Sequence, residues 1–183
     1  MKKRVLVTGG AGYVGSHACL ALSKAGYEPI VYDNLSRGNE WAVRWGPLEK
    51  GDILDKKALL DVLNHYKPIA VLHFAALAYV GESVQNPSIY YKINVSGTVN
   101  LLDAIIDFGN IPIVFSSSCA IYGIPKTKFI EENNAQIPIN PYGRSKLMIE
   151  KILRDYEVAY GLKFISLRYF NEVPLLYRLK LID

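Results

Sequence analysis

Two cysteines, Cys19 and Cys119, in 183 residues are too few for a disulfide framework and too few for a cysteine-based metal site. Both are expected to be small buried residues. No apolar stretch approaches the roughly 18 residues that a membrane-spanning helix needs. The start of the chain, Met1-Lys2-Lys3-Arg4 followed directly by Val5-Leu6-Val7, has neither the long apolar region nor the cleavage site of a signal peptide. A cytoplasmic protein without membrane partners is expected. The formal charge is +4, from 21 Lys and Arg against 17 Asp and Glu, but no run of five like charges occurs, so no nucleic-acid-binding patch is predicted. Internal repeats, low-complexity tracts and Gly/Ser linkers are also missing. Half of the residues are hydrophobic and 21% are charged, which excludes a disordered chain and leaves a packed fold of about one domain.

What is present is alternation. Short apolar, β-rich runs at Arg4–Thr8, Glu28–Asp33, Leu48–Lys50, Ile69–Phe74, Pro112–Ser117 and Lys163–Arg168 are separated by helical spacing near Gly12–Ala25, Asn39–Trp45, Asp55–His65, Pro87–Phe108 and Pro141–Tyr160. Strands alternating with helices predict the α/β class: a Rossmann-type, doubly wound parallel sheet with helices on both faces. Continuous apolar runs such as Val5-Leu6-Val7 and Ile113-Val114-Phe115 fit strands buried on both sides. Asn140 and Pro141 form a helix start, since one can cap free amides and the other suits the first helical position. The irregular stretch from Ser118 to Asn140 is long enough to suggest a functional loop.

The first strand runs into Thr8-Gly9-Gly10-Ala11-Gly12-Tyr13-Val14-Gly15, and the first helix opens on it. Gly9, Gly12 and Gly15 make a variant of the dinucleotide fingerprint, giving a tight turn, room for a pyrophosphate and close helix-strand contact. Free amides and the helix dipole favour the anion. About 20 residues on, at the end of the second strand, Asp33 is placed to accept ribose hydroxyls and to repel a 2′-phosphate, so NAD is predicted over NADP. Arg37 nearby works slightly against that preference.

Tyr142 and Lys146, four apart, share a helix face. A tyrosine titrates near 10 and needs a shift of about 3 units, roughly 4 kcal/mol, to act as a base at neutral pH. A neighbouring ammonium supplies much of that. Ser118, just past the fifth strand, lies at the sheet edge where such folds bind ligands. Trp41, Trp45 and most of the tyrosines are expected to serve packing, and His17, His65 and His73 lack the spacing of metal ligands, so no metal is predicted.

These residues resemble the extended short-chain dehydrogenase/reductases, and among them most closely the UDP-glucose (UDP-galactose) 4-epimerases. Beyond the glycine turn the resemblance runs through Tyr32-Asp33-Asn34-Leu35-Ser36, Gly51-Asp52-Ile53, His73-Phe74-Ala75-Ala76, Val80-Gly81-Glu82-Ser83 and Tyr90-Tyr91-Lys92-Ile93-Asn94-Val95. It continues in Phe115-Ser116-Ser117-Ser118, Pro141-Tyr142-Gly143-Arg144-Ser145-Lys146 and Leu167-Arg168-Tyr169-Phe170-Asn171. The resemblance implies NAD as cofactor, held by the glycine turn with Tyr13 and Val14, by Asp33 and Asn34, by Asp52 and Ile53 at the adenine, and by Phe74, Ala75, Ala76, Asn94, Tyr142, Lys146 and Tyr169. It implies Tyr142 as base, Lys146 on the nicotinamide ribose, Ser118 on the sugar hydroxyl and Asn171 against the substrate phosphates.

The implied reaction takes the C4 hydrogen of a UDP-hexose as hydride, with the hydroxyl proton going to Tyr142. A 4-keto sugar then turns over and receives hydride on its other face. Related dehydratases carry Thr-Asp-Glu where this chain has Ser118-Cys119-Ala120, so water elimination is disfavoured. Some epimerases have lysine at the position of Ala78. After Asn171 the pattern departs: an NAD-binding domain is expected over 1–171 and an atypical tail over 172–183, read as truncation or a disrupted frame. Two outcomes follow, an active epimerase (or an enzyme for another nucleotide sugar) and a fragment that binds NAD without turning over sugar. A homodimer through the helices at 87–108 and 141–160 is also implied.

Overall fold

The computed structural model describes residues 2–125 and 128–170. Asn171 and the tail fall outside the described residues. Six parallel strands lie in the order β3-β2-β1-β4-β5-β6: β1 (Arg4–Thr8), β2 (Glu28–Asp33), β3 (Leu48–Lys50), β4 (Ala70–His73), β5 (Ile113–Ser118) and β6 (Phe164–Tyr169). The chain winds outward from β1 to β3, then returns so that β4 pairs with the other side of β1. Thr8 is thus in register with Tyr32 on one side and with His73 on the other. That reversal opens a crevice at the carboxyl ends of β1 and β4, where doubly wound sheets take ligands.

One face of the sheet carries the larger core. Leu59 and Leu63 of α2 (Lys56–Tyr66), Leu101, Leu102 and Ile105 of α5 (Gly97–Phe108) and Ile149 and Leu153 of α6 (Pro141–Tyr160) pack on Leu6, Ile30, Val71, Ile113 and Phe115. On the other face α1 (Tyr13–Lys24) sets Cys19 against Val5, Val7 and Val31. Burial pushes the Cys19 thiol up to about 12, so it behaves as a small apolar group. Cys119 is only half-buried, contrary to expectation, because it opens the 3₁₀ turn Cys119–Tyr122 after β5, at the margin of a small cluster of Ile121, Tyr122 and Leu147.

Local chemistry fixes the helix ends. The Asp55 side chain accepts from the Ala58 amide at the start of α2, and Asn140 accepts from the Gly143 amide at 2.8 Å at the start of α6, with Pro141 in its first turn. Gly161, at φ 68°, closes α6 in the left-handed conformation.

Three expectations are corrected. The predicted helix Asn39–Trp45 is a single 3₁₀ turn, Glu40–Ala42. Its seven residues are followed by Gly46-Pro47 and give it nothing to pack on, since Trp41 is 70% exposed and Trp45 40%. The expectation that these two tryptophans serve packing fails for the same reason; Trp41 instead lies under the Arg44 guanidinium. The predicted helix over 87–108 is interrupted: α4 (Pro87–Tyr90) and α5 are joined by a π-helical turn, Tyr91–Ser96. The Thr98 hydroxyl donates to the Asn94 carbonyl at 2.5 Å, a side-chain intrusion into the helical ladder of the kind that loosens it. A short helix, α3 (Val80–Gln85), occupies a stretch too brief to show helical period. Among the described residues no helix is long and apolar enough to cross a membrane.

Candidate functional site

A cleft of about 580 Å³ lies at the switch point, within the range usual for small-molecule sites. Its floor is the turn after β1. Gly9 has φ 73° and its amide donates to the Tyr32 carbonyl; a Cβ there would meet the Ala75 nitrogen at 2.5 Å. At Gly15 a Cβ would stand 2.2 Å from the Gly9 carbonyl oxygen, so helix and turn touch only because that side chain is missing. Gly12 differs: a Cβ would meet only the Gly9 carbonyl, at 3.3 Å, and its extended backbone suits any residue. It caps α1 without a side-chain hydrogen bond, and no acid occupies the first turn of that 12-residue helix. The open amides and dipole therefore face a cleft lined by Gly12, Tyr13, Val14 and Gly15.

Asp33 stands at the end of β2, buried, with Oδ2 accepting from the Ala11 amide at 3.0 Å and Oδ1 from the Leu35 amide at 2.8 Å. Each oxygen keeps a lone pair for a further donor. Next to it, Asn34 donates to Asp52 Oδ2 at 3.0 Å while the Leu54 amide donates to Oδ1 at 2.9 Å, so the two residues form one wall with Ile53 beside them. The Phe74 and Ala75 amides both donate to the Thr8 carbonyl, which lays the loop after β4 along the opposite wall with Ala76.

At the far end Ser118, Tyr142, Lys146 and Tyr169 line the same cleft. The Ser118 side chain accepts from the Ala120 amide at 3.2 Å. Lys146 is buried, donates from Nζ to the Ser116 carbonyl at 2.7 Å and lies 5.8 Å from the Tyr142 ring centre. Of the residues predicted for the site, Asn94 is the one described residue that does not line the cleft. It is buried behind the wall, where its amide group bonds both the amide and the carbonyl of Leu77 and reaches Ser145 Oγ at 3.1 Å. Ser145 in turn donates to the Tyr142 carbonyl at 2.7 Å.

Two buried arrangements escaped the sequence. His73 sits between Thr8 Oγ1 at 2.6 Å and Thr98 Oγ1 at 2.8 Å. Since the Thr98 proton is given to Asn94, Thr98 accepts from His73 Nε2–H, and Nδ1 accepts from Thr8. The ring is neutral: burial, and secondarily the Lys146 charge, push its pKa down from 6.5 to about 3. Because the folded value lies below the unfolded one, the unfolded chain takes up the extra proton as pH falls below 6.5. This contribution to stability is complete above that pH and is lost toward pH 3, with a slope of up to about 1.4 kcal/mol per pH unit. Urea midpoints between pH 7 and 4 are expected to fall more steeply for the wild type than for His73→Gln, and equal slopes would contradict the assignment.

The other arrangement ties three elements together behind Ser118. Ser117 Oγ donates to Glu150 Oε1 at 2.5 Å, and Arg168 grips Glu150 with Nε at 3.0 Å and Nη2 at 2.7 Å. Arg168 Nη1 also donates to the Tyr122 hydroxyl at 2.7 Å and to the Glu132 carbonyl at 2.9 Å, which anchors the long loop. Glu150 lies one helical step beyond Lys146, the single hint the sequence held.

The turn, the capless helix start and the Asp33 carboxylate fit a dinucleotide. With a valine at Gly12 the fold is expected to persist and NAD binding to weaken by about tenfold or more, ~1.4 kcal/mol. Calorimetry alongside thermal melting checks this, and unchanged affinity would show that the cradle is not used.

Residues 5–173 match the family described as NAD dependent epimerase/dehydratase family, and the chain belongs to that family. It is 54% identical over 167 residues to the UDP-glucose 4-epimerase of Rhizobium meliloti (strain 1021), covering 91% of this chain and 51% of that protein. The UDP-arabinose 4-epimerase 1 of Arabidopsis thaliana is 44% identical over 179 residues, 92% of this chain and 43% of the relative. The crystal structure of UDP-glucose 4-epimerase from Brucella ovis in complex with NAD superposes with a TM-score of 0.91 at 56% identity, covering 92% of this chain and 52% of that one. The chain spans about half the length of the curated relatives it matches.

Proposed function

We propose that this chain is the NAD-binding portion, residues 1–171, of an enzyme that epimerises UDP-glucose and UDP-galactose at C4. The observation that carries the reading is a single cleft holding the glycine turn and Asp33 at one end and Ser118, Tyr142 and Lys146 at the other. Likeness to UDP-glucose 4-epimerases, one of them in complex with NAD, supports it. When bound, NAD supplies the acceptor and donor for the C4 hydrogen.

The chain's own residues do the rest. The α1 amides take the pyrophosphate, and Asp33 takes the adenosine ribose, with Asn34 beside it, Asp52 and Ile53 at the adenine, and Phe74, Ala75 and Ala76 along the opposite wall of the cofactor site. Lys146 holds the nicotinamide ribose and favours the phenolate of Tyr142, which accepts the sugar hydroxyl proton while Ser118 orients it. Tyr169 adds to the cofactor wall, and Asn171 is assigned to the substrate phosphates. Asn94 acts from behind the wall, by fixing Leu77 and Ser145.

Conversion of UDP-galactose by the purified chain in the presence of NAD tests the reading. Turnover supports it; NAD binding without turnover supports the second reading, a cofactor-binding portion that is inactive alone. The kind of relative differs in its sugar, so a UDP-pentose belongs in the same assay. A homodimer is proposed through the helical segments 87–108 and 141–160, where Ile89 and Met148 stand exposed and Tyr91, Leu147, Met148 and Lys151 line a groove. Light scattering at twice the chain mass would support pairing.

A further inference from the structure

The segment Val80-Gly81-Glu82-Ser83 has no part in the chemistry above, yet Glu82 bonds a residue that lines the cleft, Arg37. Arg37 lines the rim beside Asp33, and Tyr79 lines the facing rim. Arg37 Nη2 donates to Glu82 Oε1 at 2.6 Å, and its guanidinium carbon lies 5.4 Å from the centre of the Tyr79 ring. The carboxylate is held in place for this contact. Its Oε2 accepts from the Tyr90 hydroxyl at 3.0 Å, and that hydroxyl also meets the Tyr79 carbonyl at 2.7 Å. The pair is partly exposed, 51% for the Arg37 side chain and 30% for Glu82, so it adds little to folding.

Its consequence lies in what Arg37 is kept from doing. In folds of this kind an arginine close after the second strand is the group that accommodates a 2′-phosphate, whereas an acid at the strand end accepts the free 2′-hydroxyl. This chain has both, Asp33 and, four residues on, Arg37. We propose that Glu82 is a specificity-determining residue: by drawing Arg37 to the facing rim it withholds the counter-ion that a 2′-phosphate would need. NADP is then rejected twice, by the charge of Asp33 and by the engagement of Arg37. The proposal rests on the reading of the cleft as a dinucleotide site.

Calorimetric titration with NAD and with NADP of the wild type, Glu82→Gln, Arg37→Gln and the double variant tests it, with thermal melting to confirm folding. Glu82→Gln is expected to raise NADP affinity about fivefold and to leave NAD affinity nearly unchanged. Arg37→Gln alone is expected to give no gain, and the double variant to lose the gain. Glu82→Ala replaces the glutamine variant if that one is unstable. An unchanged NADP to NAD ratio in a folded variant that still binds NAD overturns the proposal, as does a gain that persists without Arg37. If the wild type binds neither dinucleotide, the cofactor reading itself falls.

Discussion

If the proposed epimerase reading holds, replacing Tyr142 with phenylalanine is expected to lower UDP-galactose turnover by about 10²- to 10⁴-fold, the range for loss of a positioned proton acceptor, while NAD binding stays within a few-fold of the wild type. The ring lies half-buried on α6, packed near the Lys146 ammonium, and the substitution removes one oxygen without changing the ring. The Asn140 cap, Pro141 and the Ser145 bond to the Tyr142 carbonyl hold the backbone independently of the phenol. Loss of turnover with intact melting and intact cofactor binding therefore isolates the proton step. Steady-state kinetics of the purified chain, with bound NAD quantified in the same samples, makes the measurement. A variant that keeps a tenth or more of the wild-type rate would remove Tyr142 from the role of base.

Arg168→Met is expected to cost about 3–5 kcal/mol, because it strands the Glu150 carboxylate in a buried site. The Glu150 side chain is only 5% exposed and Arg168 16%, so water cannot replace the lost partner. Against a total stability of about 5–15 kcal/mol this is a large fraction, and a fall of roughly 10 °C in melting temperature follows for a chain of this size. The penalty belongs to the orphaned charge rather than to the pair, since a buried ion pair replaced whole by apolar groups is often neutral. Glu150→Leu combined with Arg168→Met should accordingly recover much of the loss. Urea denaturation of the single and double variants measures both, and a single variant within 1 kcal/mol of the wild type would contradict the assigned network.

The parts of the fold that could be read from sequence are those with a local physical signature. The central strands were visible because strands buried on both faces are largely apolar, as Val5-Leu6-Val7 and Ile113-Val114-Phe115 are, whereas the half-exposed edge strands β3 and β6 followed from the alternation with helices, and α6 announced itself through Asn140, Pro141 and helical spacing. The Asn39–Trp45 segment misled because aromatic residues suggest burial, yet nothing in the fold comes to cover Trp41. The π turn at Tyr91–Ser96 could not be read, because it depends on Thr98 bonding a carbonyl one turn away and on His73 arriving from another strand.

The same division runs through the site. Gly9, Gly12 and Gly15 are spaced by a local turn and can be counted along the chain, as can Tyr142 and Lys146. Glu150 and Arg168 meet only because Ser117 and Arg168 are in register across β5 and β6, a relation set by the whole sheet. Asn94 was placed against the cofactor by its neighbours in sequence, whereas the fold turns it inward to Leu77 and Ser145. Glu82 gains its significance from Arg37, 45 residues away in sequence.

Native mass spectrometry of the purified, folded chain with NAD added addresses the cradle of α1 amides and Asp33 most directly. The account predicts a species heavier by one dinucleotide per chain, diminished in Gly12→Val. A folded chain seen only in its bare form, with no dinucleotide retained at saturating NAD, would contradict it.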